Sequence, residues 1–252
     1  MSWLHRSSFR HPVSTITESM PIAYFGDLYT YYLSKIRIIT VGLNPSSQEF
    51  PAENPYLRFS ATNYQQLIDN KDYKLYEKLL CDYYQKNPYL TWFNCFQEIL
   101  KGLNASYLDW FRYPNNVLHT DICSPVATDP TWSKLSKLDR SNLFYFGQKI
   151  WHSLIEVLRP ELILISVAQS YLRSIQFPQL TPWQVIYSAT HKKDGSPRLI
   201  PYEVKIAKFQ IFNAQTYICF GSAAQTPFGS ISNSQRLNLG QALARLISYE
   251  GL

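Results

Sequence analysis

Two short runs rich in branched apolar residues, Ile38-Ile39-Thr40-Val41 and Leu162 to Val167, most constrain what this chain can fold into. Runs of this length and composition, stopped by polar turns, read as strands buried on both faces, as in a parallel sheet. The first ends abruptly at Gly42-Leu43-Asn44-Pro45-Ser46. Gly42 permits a turn or a close approach of backbone to a ligand. Pro45 holds Asn44 out of the helical region. Asn44 is therefore displayed just past a strand's carboxyl end, where open α/β sheets bind their ligands.

The rest of the chain alternates strand and helix patterns. The spacing predicts a helix within 15–35 leading into a strand over 36–41, a loop over 46–60, and helices over 62–86 and 92–103. A second strand is expected over 117–122, an amphipathic helix over 139–158, a third strand over 162–167 and a helix over 168–176. Strands at 184–189 and 203–212 flank a Lys-, Gly- and Pro-rich loop. A last strand at 216–220 precedes a final helix ending near Tyr249. This alternation predicts an α/β fold, a three-layer sandwich around a central, mainly parallel sheet, in one domain over 1–252.

The net charge of +6 favours a polyanionic partner. With 19 Tyr and 15% aromatics, rings are available for stacking on bases or for a Tyr-rich surface. No apolar run is long enough for a bilayer span, and the start of the chain, with His5, Arg6, Arg10 and His11, is not a secretory signal. A cytoplasmic, monomeric protein without membrane attachment is expected. Cys81, Cys95, Cys123 and Cys219 form no Cys-x-x-Cys pair, and the five histidines show no ligand spacing, so neither a metal nor a cofactor is expected.

Three polar segments follow three separate strands: Gly42 to Ser46, His119 to Pro125, and Ser222 to Ser230. In a parallel sheet such ends converge on one edge. They would supply two amides, a carboxylate and a Pro/Gly-shaped loop carrying a ring, with no phosphate loop, dinucleotide fingerprint or nucleophile elbow. In order and spacing, over roughly residues 36–248, these segments resemble the uracil-DNA glycosylase superfamily, especially its mismatch-specific and single-strand-selective branches. Gly42 to Ser46 match the Gly-x-Asn-Pro-Gly motif of that family except at the last position. His119 to Pro125 resemble its base-reading segment, in a longer form, and residues 225–230 take the place of its last motif, with Gln225 where His or Asn is usual.

The resemblance implies hydrolysis of the N-glycosidic bond of a nucleotide flipped out of DNA, single- or double-stranded, leaving an abasic site. Asn44 would position the water and Gln225 would donate to the departing base. Glu49 and Glu53 are alternative bases, or surface carboxylates. Gly42, Leu43, Pro45 and Ser46 would line the pocket, with Phe50 first and Phe59 second for stacking on the base. Asp121 would read the base: a carboxylate only accepts hydrogen bonds, which suits the exocyclic amine of cytosine and repels O4 of uracil. Ser46 is small where strict uracil enzymes have a blocking Tyr, so a 5-substituted cytosine, such as the glucosylated hydroxymethylcytosine of phage DNA, is the expected substrate. Plain uracil or mismatch repair, and a DNA-binding module without catalysis, are the alternatives. Thr226, Pro227, Phe228, Gly229 and Ser230 would contact DNA, with Phe228 as a wedge or else an anchor packed on the core. Lys192 and Lys193, with Arg198, Lys205 and Lys208 nearby, would grip phosphates or decorate a solvated hairpin.

Overall fold

The computed structural model describes residues 19–59, 67, 69–109 and 111–249. The strands are β1 (Ile38–Gly42), β2 (Ala105–Ser106), β3 (Asn115–Asp121), β4 (Leu162–Ile165), β5 (Gln184–His191), β6 (Pro197–Ile211) and β7 (Ala214–Gly221). The helices are α1 (Leu28–Leu33), α2 (Tyr73–Cys81), α3 (Tyr83–Lys86), α4 (Leu90–Gly102), α5 (Lys137–Leu158) and α6 (Asn233–Tyr249), with 3₁₀ turns at Trp132–Lys134 and Gln169–Ser174. One seven-stranded sheet runs in the order β2-β3-β1-β4-β7-β6-β5. The pairs β2–β3, β1–β4 and β4–β7 are parallel, while β7–β6 and β6–β5 are antiparallel. The chain is thus an α/β protein with a mostly parallel sheet.

The chain divides into two compact units. Unit 1 takes the described residues of Met1–Phe25, Gly42–Pro88 and Thr120–Leu154; unit 2 takes those of Gly26–Val41, Tyr89–His119 and Ile155–Leu252.

Unit 2 carries the sheet. Every residue of β1 and β4 is buried, as expected of parallel strands covered on both faces. The Arg37 guanidinium and backbone grip the Glu161 carboxylate where these two strands begin. Against the sheet residues Val117, Leu164, Val204 and Cys219 pack Phe96, Ile99 and Leu100 of α4 and Leu239, Leu243 and Ile247 of α6. The i, i+4 spacing of the last three puts them on one helical face. Each fully buried Leu or Ile here stabilises the fold by ~1.5–3 kcal/mol.

The helices α4 and α6 approach until only glycine fits. A Cβ on Gly240 would lie 2.1 Å from the carbonyl oxygen of Ile99, and one on Gly102 would lie 2.5 Å from that of Leu237. Backbone cannot move aside as a side chain can, so Gly240→Ala should destabilise the chain by about 1–3 kcal/mol or more. In thermal unfolding that is a Tm drop of at least ~2–4 °C; an unchanged Tm would show that the helices separate freely.

Unit 1 is organised around stacked rings. Phe25 lies on Tyr83 with centroids 3.7 Å apart, and Phe59 stacks at 6.0 Å on Phe50 and 6.4 Å on Phe25. Tyr76 donates its hydroxyl to the carbonyl of Pro21 at 2.9 Å, tying α2 to the residues before α1.

Three expected helices differ. Within 15–35 only Leu28–Leu33 is helical, capped by Asp27, whose side chain accepts from the backbone N–H groups of Tyr29 and Thr30. The buried stretch from Pro21 to Gly26 is irregular, and residues 15–18 lie outside the described residues. The helix expected over 62–86 is interrupted at Lys71, whose φ is +51°, and restarts under the Asp72 cap; residues 62–66 and 68 lie outside the described residues. The helix expected over 168–176 is a 3₁₀ segment. No helix among the described residues is long and apolar enough to cross a membrane.

Candidate active site

The strands β1 and β3 end side by side. Ile122 N–H donates to Gly42 O at 3.0 Å and Cys123 N–H to Leu43 O at 2.8 Å, so Gly42–Ser46 and Asp121–Thr128 run together within unit 1. Gly42 does not use the left-handed region and simply closes the strand; the chain turns beyond it. The half-buried Asn44 amide donates to Pro45 O at 2.6 Å, Val126 O at 3.2 Å and Thr128 Oγ1 at 3.0 Å. Two hydrogens shared among these three acceptors fix the amide nitrogen, and the carbonyl oxygen is the end left to align a ligand or water.

Ser46 bridges Thr128, and its carbonyl accepts from the N–H groups of Glu49 at 3.0 Å and Phe50 at 2.9 Å. This single tight turn carries Glu49 and Phe50 inward. Phe50 is fully buried and Phe59 nearly so, both within the aromatic stack. Glu53, by contrast, is exposed.

Glu49 corrects the reading of this loop as carrying surface carboxylates, because its side chain is only 6% exposed. The Tyr83 hydroxyl donates to its Oε1, and Arg58 Nε donates to its backbone carbonyl at 3.1 Å. Burial raises the carboxyl from the usual 4.5 to about 8; the Tyr83 bond opposes the rise, the negative charge of Asp121 adds to it, and Arg58 opposes it. Asp121, the last residue of β3, is itself buried. Glu49, held protonated by burial, and the buried Asp121 thus lie close enough for the charge of one to act on the other, and the Glu49 acid is an available proton donor.

The segment beneath is held tightly. Trp151 Nε1 of α5 donates to Thr120 Oγ1 at 3.0 Å. A Cβ on Gly147 would meet Cys123 O at 2.0 Å, so α5 lies directly on the Cys123 turn. Burial and the charge of Asp121 push the Cys123 thiol up, away from thiolate chemistry. His119 belongs to unit 2, where its Nδ1 lies 2.8 Å from Thr40 Oγ1 and its ring meets Phe93 edge-on at 5.0 Å.

The third expected segment belongs to unit 2. Gln225 is exposed and makes no hydrogen bond among the described residues. Phe228 is not a wedge. Its ring is fully buried, edge-on to Phe96 at 6.0 Å, and its φ of +48° is held by the bond from its N–H to Ser166 Oγ at 2.8 Å. The buried Arg236 guanidinium donates to its carbonyl at 3.1 Å. Phe228 is the anchor of the loop, and Pro227 beside it is buried too. Thr226 closes the turn by accepting from Gly229 N–H at 2.9 Å.

Lys192, Lys193, Asp194, Arg198, Gly229 and Ser230 line an open depression of about 310 Å³ in unit 2. Five of the expected DNA-contacting residues, Lys192, Lys193, Arg198, Gly229 and Ser230, therefore come together. Lys205 pairs with Glu203 at 3.4 Å, and Lys208 lies over the Tyr217 ring at 5.1 Å, so both are engaged on β6 and β7. No group of three or more His, Cys, Asp or Glu fit to hold a metal occurs among the described residues.

The fold and this acid-bearing strand-end cluster define the class: an α/β protein with a polar site at the exits of two adjacent strands. No family model, curated protein or solved structure matches the chain.

Proposed function

We propose that this chain is a monofunctional DNA glycosylase that releases a modified, cytosine-type pyrimidine from a flipped nucleotide, built on a three-layer sandwich of the uracil-DNA glycosylase kind. The observation that carries the reading is that, in unit 1, the turn that fixes the Asn44 amide runs beside the end of β3, and the two segments carry the buried carboxyl groups of Glu49, raised to about 8, and Asp121.

The chemistry follows from the edge of the base. Cytosine presents an amine donor at N4 and acceptors at N3 and O2. Asp121, as carboxylate, accepts from N4; Glu49, neutral at pH 7, donates to N3 or O2. Water aligned by the Asn44 carbonyl attacks C1′ as the C1′–N1 bond breaks, and the bonding pair leaves with the base. The proton from Glu49 neutralises that base, and a proton from the attacking water returns to Glu49. Excision of such bases from phage DNA would be a defence against infection.

Uracil inverts the required pattern at position 4, which is why plain uracil repair is the weaker reading. The test is incubation of purified protein with oligonucleotides bearing uracil, cytosine, hydroxymethylcytosine or glucosylated hydroxymethylcytosine, followed by alkali. Scission at the modified cytosines is expected. Scission confined to uracil would overturn the cytosine assignment, and salt-dependent binding without scission would leave only a binding module.

A further inference from the structure

Glu49 is held by both ends of one short helix of unit 1. Tyr83 opens α3 and Asn87 caps its end. The Tyr83 hydroxyl donates to Glu49 Oε1 and fixes the side chain. Arg58 Nε donates to Glu49 O at 3.1 Å, while Arg58 Nη1 donates to Asn87 O at 3.1 Å and Asn87 Oδ1 at 3.0 Å. The N–H of Glu49 donates to Ser46 O at 3.0 Å. Side chain, carbonyl and amide of this one residue are thus each fixed by a separate group.

The ring that bears the Tyr83 hydroxyl has little freedom. It is 1% exposed, lies on Phe25 at 3.7 Å, meets Tyr84 edge-on at 5.3 Å and has Phe59 at 5.9 Å. A ring packed this closely keeps one rotamer, and its hydroxyl keeps one position. Burial leaves Glu49 a neutral acid, which has one carbonyl oxygen and one hydroxyl oxygen. With Oε1 accepting from Tyr83, Oε1 is the carbonyl oxygen and the proton sits on Oε2.

We propose that Tyr83 is a positioning residue: by occupying Glu49 Oε1 it confines the transferable proton to Oε2 and aims it at the departing base. This rests on the reading of Glu49 as the proton donor in base release, and deepens it. Tyr83 itself exchanges no proton. When the proton passes from Oε2 to the base, the O–H bonding pair stays on Glu49 and the charge spreads over both oxygens. The Tyr83 hydroxyl then donates to an ionised acceptor, a bond roughly twice as strong as a neutral one. Its contribution is therefore larger as the base departs than in the resting acid, which is the condition for lowering a barrier. Burial raises the Glu49 carboxyl; among the groups that act on it, the Tyr83 bond and Arg58 lower it and the Asp121 charge raises it. Removing the Tyr83 bond should keep the acid protonated to higher pH.

The test is Tyr83→Phe, which keeps the ring and removes only the hydroxyl. At pH 7 the variant should release base about ten-fold more slowly, with the loss in kcat and not in KM. Its alkaline limb should lie at higher pH than that of wild type, so the deficit narrows as pH rises. A merely structural role gives parallel profiles, and parallel profiles would overturn the proposal. In a Glu49→Gln background the same change should cost no more than about two-fold, because no proton remains to be aimed. An undiminished loss there would also overturn it. A second readout needs no substrate: the carbon-13 carboxyl resonance of Glu49, assigned by its loss in Glu49→Gln, should titrate at higher pH in Tyr83→Phe. Equal titration in both proteins would overturn the positioning role and leave the glycosylase reading standing. Wild type alone gives a third: the Cζ resonance of site-labelled Tyr83 should move with the Glu49 midpoint, and a signal blind to it would overturn the bond. Wild type that passes these titrations yet releases no base would sink the glycosylase reading, and the role in base release with it.

Discussion

Replacing Glu49 by glutamine is expected to lower the rate of base release by roughly 10²–10⁴-fold, with DNA affinity close to that of wild type. Glutamine keeps the shape of the side chain and an acceptor for the Tyr83 hydroxyl, so the fold around the aromatic stack survives. It has no proton to give to the departing base. In wild type, release should fall as pH rises through about 8, where burial places the loss of the Glu49 proton. The variant should lack that alkaline limb. A variant with wild-type rate would show that Glu49 is structural.

The same group makes a stability prediction of opposite character. Its folded value lies above the ordinary 4.5, so the folded chain holds a proton that the unfolded chain has released between pH 4.5 and about 8. The stability this contributes is complete below 4.5 and is lost as pH rises through about 8, on the order of 5 kcal/mol in all. Thermal melts at pH 5 and pH 9 should therefore show a larger loss for wild type than for Glu49→Gln. Parallel curves would contradict the buried, neutral acid.

The second large effect concerns what the site reads. Asp121→Asn replaces an acceptor by an amide that also donates, and a donor at this position suits O4 of uracil. Single-turnover release should shift from cytosine-type bases towards uracil by about 1–3 kcal/mol, or roughly five- to 150-fold. The charge of Asp121 also helps to raise the Glu49 carboxyl, so its removal should move the alkaline limb to lower pH. Unchanged base preference would remove Asp121 from the reading role.

The strands that frame the site were legible in the sequence because burial on both faces demands continuous branched apolar residues, as in Ile38–Val41 and Leu162–Ile165. The turn motif after β1 and the carboxylate at the end of β3 could be paired for the same reason. Glu49 was not legible as a buried acid. Its partner Tyr83 lies 34 residues away, and a loop containing Pro51 and Pro55 carries no periodic burial signal. Phe228 was legible only as a choice: between Pro227 and Gly229 it reads as a wedge or as an anchor packed on the core, and Ser166 and Arg236, distant in sequence, decide for the anchor.

The most direct measurement is mass spectrometry of the products when purified protein acts on DNA whose cytosines carry hydroxymethyl or glucosylated hydroxymethyl groups. Free modified cytosine, released while the phosphodiester chain stays intact until alkali is added, is the predicted result. DNA that keeps every base, or modified cytosine that appears only as a phosphorylated fragment, would contradict glycosidic hydrolysis by this chain.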